Sequence, residues 1–397
     1  MTLLLTIIAF SAAIAIAPPI ILFGLEVGFA CVVRRGIARP LVAPPPRTAI
    51  LIPAHNEEAG LGRMLRSLQG TLQHQERVIV VADNCSDRTA EVARGCNVEV
   101  LERHNLEQRG KGWALDYGVR HLADNPPEVL VILDADCTVG TDTVARLANE
   151  ARLREGPVQG RYLCFAPNTG EPKAAISALA FQFKNQIRPL GLATLGGPAY
   201  LTGSGFALPW NLVQKAPWGS GNLVEDMQLG LDFAVAGHPP AYLDAVEILS
   251  PLPTENAAAN KQRTRWEHGH LATMLGQCPR LIAAGVRERR GELLLLALDL
   301  AIPPLALLVT AWCVVCMLAI VSGYFTSVWA PALVSVAEGV FLFATVFAGW
   351  LVFGRRTIPF TTFFRIPGYV LGKLSIYRKF VTQRQAEWVR TERAAAP

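Results

Sequence analysis

Residues 3 to 25, "LLLTIIAFSAAIAIAPPIILFGL", carry no charged side chain. A helix of that length crosses the hydrocarbon core of a bilayer, which needs roughly 20 apolar residues. Two further apolar stretches come late, around residues 293 to 322 and 331 to 353, with Asp299 near the start of the first. One such segment could be a buried core helix. Three of them, in a chain that is 51% hydrophobic with a mean hydropathy of +0.30, point to insertion in a membrane. The expectation is an N-terminal anchor over residues 1–35 and two transmembrane helices over 293–354.

A cleaved signal peptide would want basic residues before its apolar core, and the first basic residue here is Arg34. The run is also longer than a signal core, so it reads as a retained anchor. Arg34, Arg35 and Arg39 follow the first stretch, and Arg355 and Arg356 follow the last. Basic flanks mark the cytoplasmic side, and the turn "SGYFTSVWAP" between the late stretches has none. Residues 45–290 are then a cytoplasmic domain on a multi-pass protein of the cytoplasmic membrane. Residues 357–397, with aromatics interleaved among Arg365, Lys373, Arg378 and Lys379, read as an interfacial amphipathic helix and a cytoplasmic tail. The eight cysteines show no zinc-site spacing. A net charge of +5 suits anionic membrane lipids and gives no argument for nucleic acid.

The cytoplasmic part alternates strand and helix. "TAILIPAHNEE" is a short apolar strand running into a polar loop with Pro53, Asn56 and Glu57. "RVIVVADNCSD" repeats the pattern and ends on Asp83. Such alternation predicts an α/β fold with a mostly parallel mixed sheet and flanking helices. In "VLVILDADCTVG", a wholly apolar strand ends on Asp134 and Asp136. Residues two apart share a strand face, so both carboxylates converge where open α/β sheets place their ligands. Two close carboxylates repel unless a cation lies between them, and Mg²⁺ or Mn²⁺ with phosphate oxygens suits such ligands. The alternative is a solvated turn.

The stretches "PAHNEE", "ADNCSD", "GKGWALDYG", "DAD", "TGSGFALP", "VEDMQLGL" and "QRTRW" occur in one order between residues 48 and 270. In this the chain resembles the membrane-anchored family 2 glycosyltransferases of GT-A fold, such as cellulose, chitin and hyaluronan synthases and ceramide glucosyltransferases. The resemblance implies an inverting transfer of a sugar from a nucleotide-diphosphate donor, UDP-linked by preference, to a glycan or lipid acceptor. It places Asp83 and Glu57 at the nucleotide's base and ribose, with Asn56 shaping their loop. Asp136, assisted by Asp134, would hold the metal, and Lys111 would reach the phosphates. Asp226 would be the general base, tuned by Glu225. Gln262, Arg265 and Trp266 would serve diphosphate and acceptor, and Ser204 would lie between glycines near the acceptor.

Each residue also has a plainer reading. Glu225 and Asp226 could be dipole partners at a helix start, and Trp266 a packed ring. His268 and His270 could in principle ligate a metal. Single transfer to a lipid is the alternative to chain extension in exopolysaccharide or glycolipid synthesis, with export or polymerisation partner proteins in the former case. A metal-dependent nucleotidyltransferase is the rival of another class, but it gives no reason for "QRTRW".

Overall fold

The structure, a computed structural model, describes residues 2–33, 40–41, 43–73, 76–165, 172–219, 224–252 and 256–383. Its chain forms two compact units. One comprises Arg35–Gly170, Pro198–Gly269 and Gln385–Pro397; the other comprises Met1–Arg34, Glu171–Gly197 and His270–Arg384.

The first unit is built on strands β1 (Thr48–Ala54), β2 (Arg77–Asp83), β3 (Glu99–Arg103), β4 (Val129–Ile132), β5 (Thr138–Val139), β6 (Val158–Phe165), β7 (Phe206–Pro209) and β8 (Ala241–Pro251). They form one sheet in the order β3-β2-β1-β4-β7-β6-β8-β5. β1 pairs parallel with both β2 and β4, whereas β7 lies antiparallel between β4 and β6. The expected mixed α/β sheet is what forms. β4 is buried along its whole length, which explains its unbroken apolar run. The strand order reverses between β1 and β4, and that switch point opens a crevice at their C-terminal ends.

Helix Lys111–Leu122 lies close on the sheet because Gly118 faces it. A Cβ there would sit 2.4 Å from Leu51 Cδ1. This close approach fixes the helix whose first residue is Lys111.

The second unit holds three helices long and apolar enough to cross a membrane: Thr2–Val33, Leu305–Thr326 and Ala330–Gly354. The sequence expectation differs from it in two places. The span expected from residue 293 is interrupted, with a short helix Gly291–Leu300 ending before Pro303 and Pro304 and the long helix starting at Leu305. Proline lacks the N–H needed to continue a helix and disfavours helical backbone before it. Second, residues 171–197 leave the expected 45–290 domain and join the apolar helices, as does the chain from His270. This segment is mostly apolar, and Gly191 abuts the first helix so closely that a Cβ would lie 1.9 Å from the Glu26 carbonyl oxygen.

The first helix ends at Val33, within the expected anchor, and Glu26 is fully buried inside it. A buried carboxylate demands a partner, and Arg188 supplies one, its Nε 2.8 Å from Glu26 Oε2. The same guanidinium reaches Asp299 Oδ1 at 2.7 Å.

Of the interfacial region, the structure describes a 3₁₀ turn Phe360–Arg365 and a helix Ile366–Thr382. Phe364, Leu371 and Val381 are exposed on them. Arg34, Arg35, Arg39 and the tail from residue 384 lie outside the described residues.

Candidate active site

Three strand ends deliver the crevice, and each is locked by its own backbone chemistry. After β1, Asn56 takes a left-handed φ of 54°, and after β2, Asn84 takes 52°. Asparagine tolerates this conformation better than most residues. The Asn56 amide then bonds Ser86 twice, Nδ2 donating to its Oγ at 2.9 Å and Oδ1 accepting from its N–H at 2.7 Å. Glu57 N–H donates to Thr89 Oγ1 at 2.8 Å, and Glu58 N–H donates to Asp87 Oδ2 at 3.1 Å. Burial opposes ionisation of Asp87, but hydrogen bonds from Thr89 and the Glu58 backbone outweigh it and hold the carboxyl below its usual range. The loops after β1 and β2 thus form one braced rim.

Asp83, at the end of β2, is buried and ion-paired with Arg103, whose Nη1 lies 2.6 Å from Oδ1. Arg103 also donates to the Gln108 carbonyl at 2.9 Å, tying down the chain that leads to Lys111. His55 Nδ1–H donates to the Asp83 carbonyl at 2.6 Å. Sequence reasoning found Asp83 but missed Arg103 and His55. The signal for Arg103 was available, because parallel pairing of β2 with β3 places it directly opposite Asp83.

At the end of β4, Asp134 N–H donates to Ser204 Oγ at 2.9 Å, and Ser250 Oγ donates to Asp136 Oδ2 at 2.8 Å. Lys111 Nζ donates to Asp134 Oδ1 and, at 2.6 Å, to the Gly203 carbonyl. Burial alone would lower the Lys111 pKa. The carboxylates of Asp134, Glu225 and Asp226 prevail and raise it, so the ammonium stays charged. Gly203 has φ +92°, and a Cβ on it would lie 3.3 Å from Asp226 Oδ2 and 3.8 Å from Lys111 Nζ. Any side chain there would be strained and would crowd both groups. Asp226 therefore faces Lys111 across a bare stretch of backbone.

Glu225 and Asp226 open the helix Glu225–Val235. Burial first, and the Asp226 charge second, raise the Glu225 carboxyl to about 7.

Pro53, Asn56, Glu57, Asp83, Lys111, Asp134, Asp136, Gln262 and Arg265 line one cleft, together with His55 and Arg109. Ser204 does not line it. Its side chain is wholly buried and positions the Asp134 backbone, a correction to the expected place beside an acceptor. Trp266 is half-buried and, with Glu225 and Asp226, lies outside the lining of this cleft.

The residues fit a divalent cation. Asp134, Asp136 and Cys137 offer ligand atoms within 4.8 Å of one another. Burial, then the Asp136 charge, pushes the Cys137 thiol well up, so it stays protonated and leaves two hard carboxylates as ligands. The ammonium on Asp134 shows that this pair attracts a cation. Neither His268 nor His270 belongs to the group among the described residues. Burial, then Lys184, lowers the His270 imidazole to about 3.

The profile of the family described as "Glycosyltransferase like family 2" matches residues 45–269, more than half of the chain. The chain belongs to that family. The match ends at Gly269, where the sheet unit's central segment also ends. Among curated relatives of this family 2 member, "Probable glycosyltransferase YdaM" of Bacillus subtilis is 26% identical over 251 residues, 58% of this chain and 56% of the relative. The "4,4'-diaponeurosporenoate glycosyltransferase" of Staphylococcus aureus is 36% identical over 111 residues, 26% of this chain and 28% of the relative. The matches thus span about half the length of the first relative and less than a third of the second.

Among solved structures, mannosyltransferase PcManGT from Pyrobaculum calidifontis, in complex with GDP-Man and Mn²⁺, superposes with a TM-score of 0.57 at 18% identity. The match covers 95% of this chain and 100% of that one, and it identifies the fold as GT-A.

Proposed function

We propose that this family 2 protein is an inverting glycosyltransferase of the cytoplasmic membrane face. It takes a sugar from a nucleotide-diphosphate donor, UDP-linked by preference, to a glycan or lipid acceptor. The observation that carries the reading is the convergence of Asp226 and Lys111 on the space beside the Gly203 Cα, with Lys111 held by Asp134. One group can take a proton from an acceptor hydroxyl while the other holds negative charge on the leaving diphosphate.

The braced rim of Asn56, Glu57 and Asp83 receives the nucleoside. Asp134 and Asp136 would hold Mg²⁺ or Mn²⁺, whose chemistry there is to neutralise the diphosphate. Lys111 and Arg265 orient the phosphates, and Arg265 offers a fork geometry matched to their oxygens. Asp226 removes the acceptor proton as the hydroxyl attacks the anomeric carbon from the face opposite the leaving group. Glu225 raises the basicity of Asp226 by like-charge repulsion. Trp266 presents an indole face to the acceptor. The basic pair Arg355 and Arg356, after the last long apolar helix, supports a cytoplasmic catalytic domain.

Single transfer to a lipid is the second reading. Three long apolar helices among the described residues are few to line a polymer path, and the Staphylococcus relative is named for transfer to 4,4'-diaponeurosporenoate rather than to a glycan.

The test uses purified full-length protein in lipid nanodiscs with a panel of UDP- and GDP-sugars and Mg²⁺ or Mn²⁺. Release of UDP or GDP, with product mass and anomeric configuration, reads the reaction. An inverted anomeric linkage is expected. Absence of transfer and of donor hydrolysis across the panel would remove the reading.

A further inference from the structure

Gln159 belongs to no part of the chemistry above. It sits on β6, a strand of otherwise mostly apolar burial, and its residue is 2% exposed. A buried primary amide must find partners for two N–H donors and a carbonyl. All of them are backbone. Nε2 donates to the carbonyls of Ser204 at 2.9 Å, Gly160 at 2.9 Å and Gly205 at 3.3 Å. Oε1 accepts from the Thr202 N–H at 2.9 Å. One side chain therefore grips the loop 202–205 at three of its four residues.

That loop needs gripping. Gly203 and Gly205 both take left-handed φ, +92° and +70°, and glycine has the greatest conformational freedom to lose. It also touches every working group on this side of the cleft. The Ser204 hydroxyl accepts the Asp134 N–H, the Gly203 carbonyl accepts Lys111 Nζ, and the Gly203 Cα faces Asp226. Gly205 N–H closes the loop onto the Ile132 carbonyl at 2.9 Å.

We propose that Gln159 is a positioning residue whose amide sets the loop 202–205, and through Gly203 sets the distance between the Asp226 base and the Lys111–Asp134 pair. The part concerning Asp226 rests on the glycosyltransferase reading; the grip on the loop does not. Gln159 touches no substrate. Only an amide fits the role, because it donates to carbonyls and accepts from an N–H at once. A carboxylate at this position would face the Ser204 and Gly205 carbonyls with no proton to offer.

Two variants of the full-length protein in nanodiscs test this. Gln159→Met keeps the volume and removes both functions, and Gln159→Glu keeps only the acceptor. Hydrogen exchange needs no substrate. In Gln159→Met the Thr202 amide, whose N–H loses its acceptor, should exchange about tenfold faster or more, while Val129–Ile132 stays protected. With the sugar donor that the panel identifies, kcat should fall by about ten- to a hundredfold, the scale of a misplaced reacting group. Calorimetric affinity for the nucleoside alone, uridine or guanosine, should change by less than about threefold, since the nucleoside rim is elsewhere. On an Asp226→Asn background the same substitution should cost less than about threefold more, because a positioning residue has nothing left to position. Gln159→Glu should lose kcat as Gln159→Met does.

Unchanged exchange at Thr202 overturns the proposal. So does equal loss of protection in Val129–Ile132, which would make Gln159 a general structural residue. Fully additive effects with Asp226→Asn remove the link to the base. If wild-type protein turns over no donor, the functional reading fails, and the exchange measurement still decides the loop.

Discussion

Both units of the chain hold cations against buried or half-buried carboxylates, and Arg188 in one and Lys111 in the other differ in kind. In the helical unit Arg188 spans Glu26 and Asp299 with a rigid guanidinium fork, and the three side chains are 12%, 0% and 5% exposed. In the sheet unit Lys111 meets Asp134 with a single ammonium on a flexible stem, at 20% and 29% exposure. Arginine holds planar, multidentate pairs and stays charged under all conditions, whereas lysine is a compact charge that can be re-aimed. The first arrangement is a lock that makes a buried acidic residue tolerable in a long apolar helix. The second is a contact that a phosphate or a metal ion can exchange into. Burial of charge serves the fold in one place and chemistry in the other.

The sharpest way to break this contrast is to remove each cation. Arg188→Leu leaves two buried carboxylates without a counter-charge and should cost on the order of 3–5 kcal/mol. Thermal unfolding in detergent and the yield of folded protein would show it. Lys111→Met should leave the melting temperature nearly unchanged and abolish turnover, because Asp134 is open enough to be solvated. If Lys111→Met unfolds the protein as Arg188→Leu does, both are locks and the distinction is wrong.

The second prediction separates binding from chemistry within the sheet unit. Asp226→Asn removes a proton acceptor at constant volume, so kcat should fall by about a hundredfold or more. Affinity for UDP or GDP should hardly change. Near-normal turnover would move the base elsewhere, with Glu225 the first alternative. Trp266→Ala should act more weakly, costing roughly 1–3 kcal/mol in acceptor use with donor affinity preserved. An equal loss in donor affinity would place the indole on the nucleotide side instead.

The sheet and its carboxylates were legible because strand ends announce themselves. An apolar run closing on Asp83, or on Asp134 and Asp136, fixes both the buried strand and the rim on which the acids fall. What stayed hidden depends on contacts between residues far apart in sequence. Ser204 reads as a glycine-flanked turn, yet its hydroxyl reaches a backbone amide 70 residues away. Gln159 shares a mostly apolar strand with Arg161, and its loop partners lie more than forty residues on. Glu26 falls inside the expected anchor, and the sequence does not say how a long apolar helix carries it. Only Arg188, 162 positions later, makes it tolerable there. Periodicity reports local burial, and it is silent about which distant group neutralises a charge.

The smallest expected effect concerns Glu225, where the sheet unit holds an acid with no lock of the Arg188 kind. Burial, then Asp226, raises this carboxyl to about 7, against an ordinary value of 4.5. A carboxyl raised in the folded state favours folding while it is protonated. Its contribution is complete below the ordinary value and is lost as pH rises through about 7. Wild-type protein should therefore lose stability between about pH 5 and 8, where the folded state binds more protons than the unfolded chain. Glu225→Gln removes that titration, so its melting temperature should fall less across the range. The gain over wild type at pH 8 should be on the order of 1 kcal/mol, since relaxation and water penetration reduce the full cost of a buried charge. Turnover should respond in the same direction. With the titrating neighbour gone, the limb that Glu225 contributes to the kcat/KM profile near pH 7 should disappear. A limb that stays in place, with a pH-stability profile unchanged from wild type, would leave Glu225 no electrostatic part in the site and return it to a helix-start partner for the backbone.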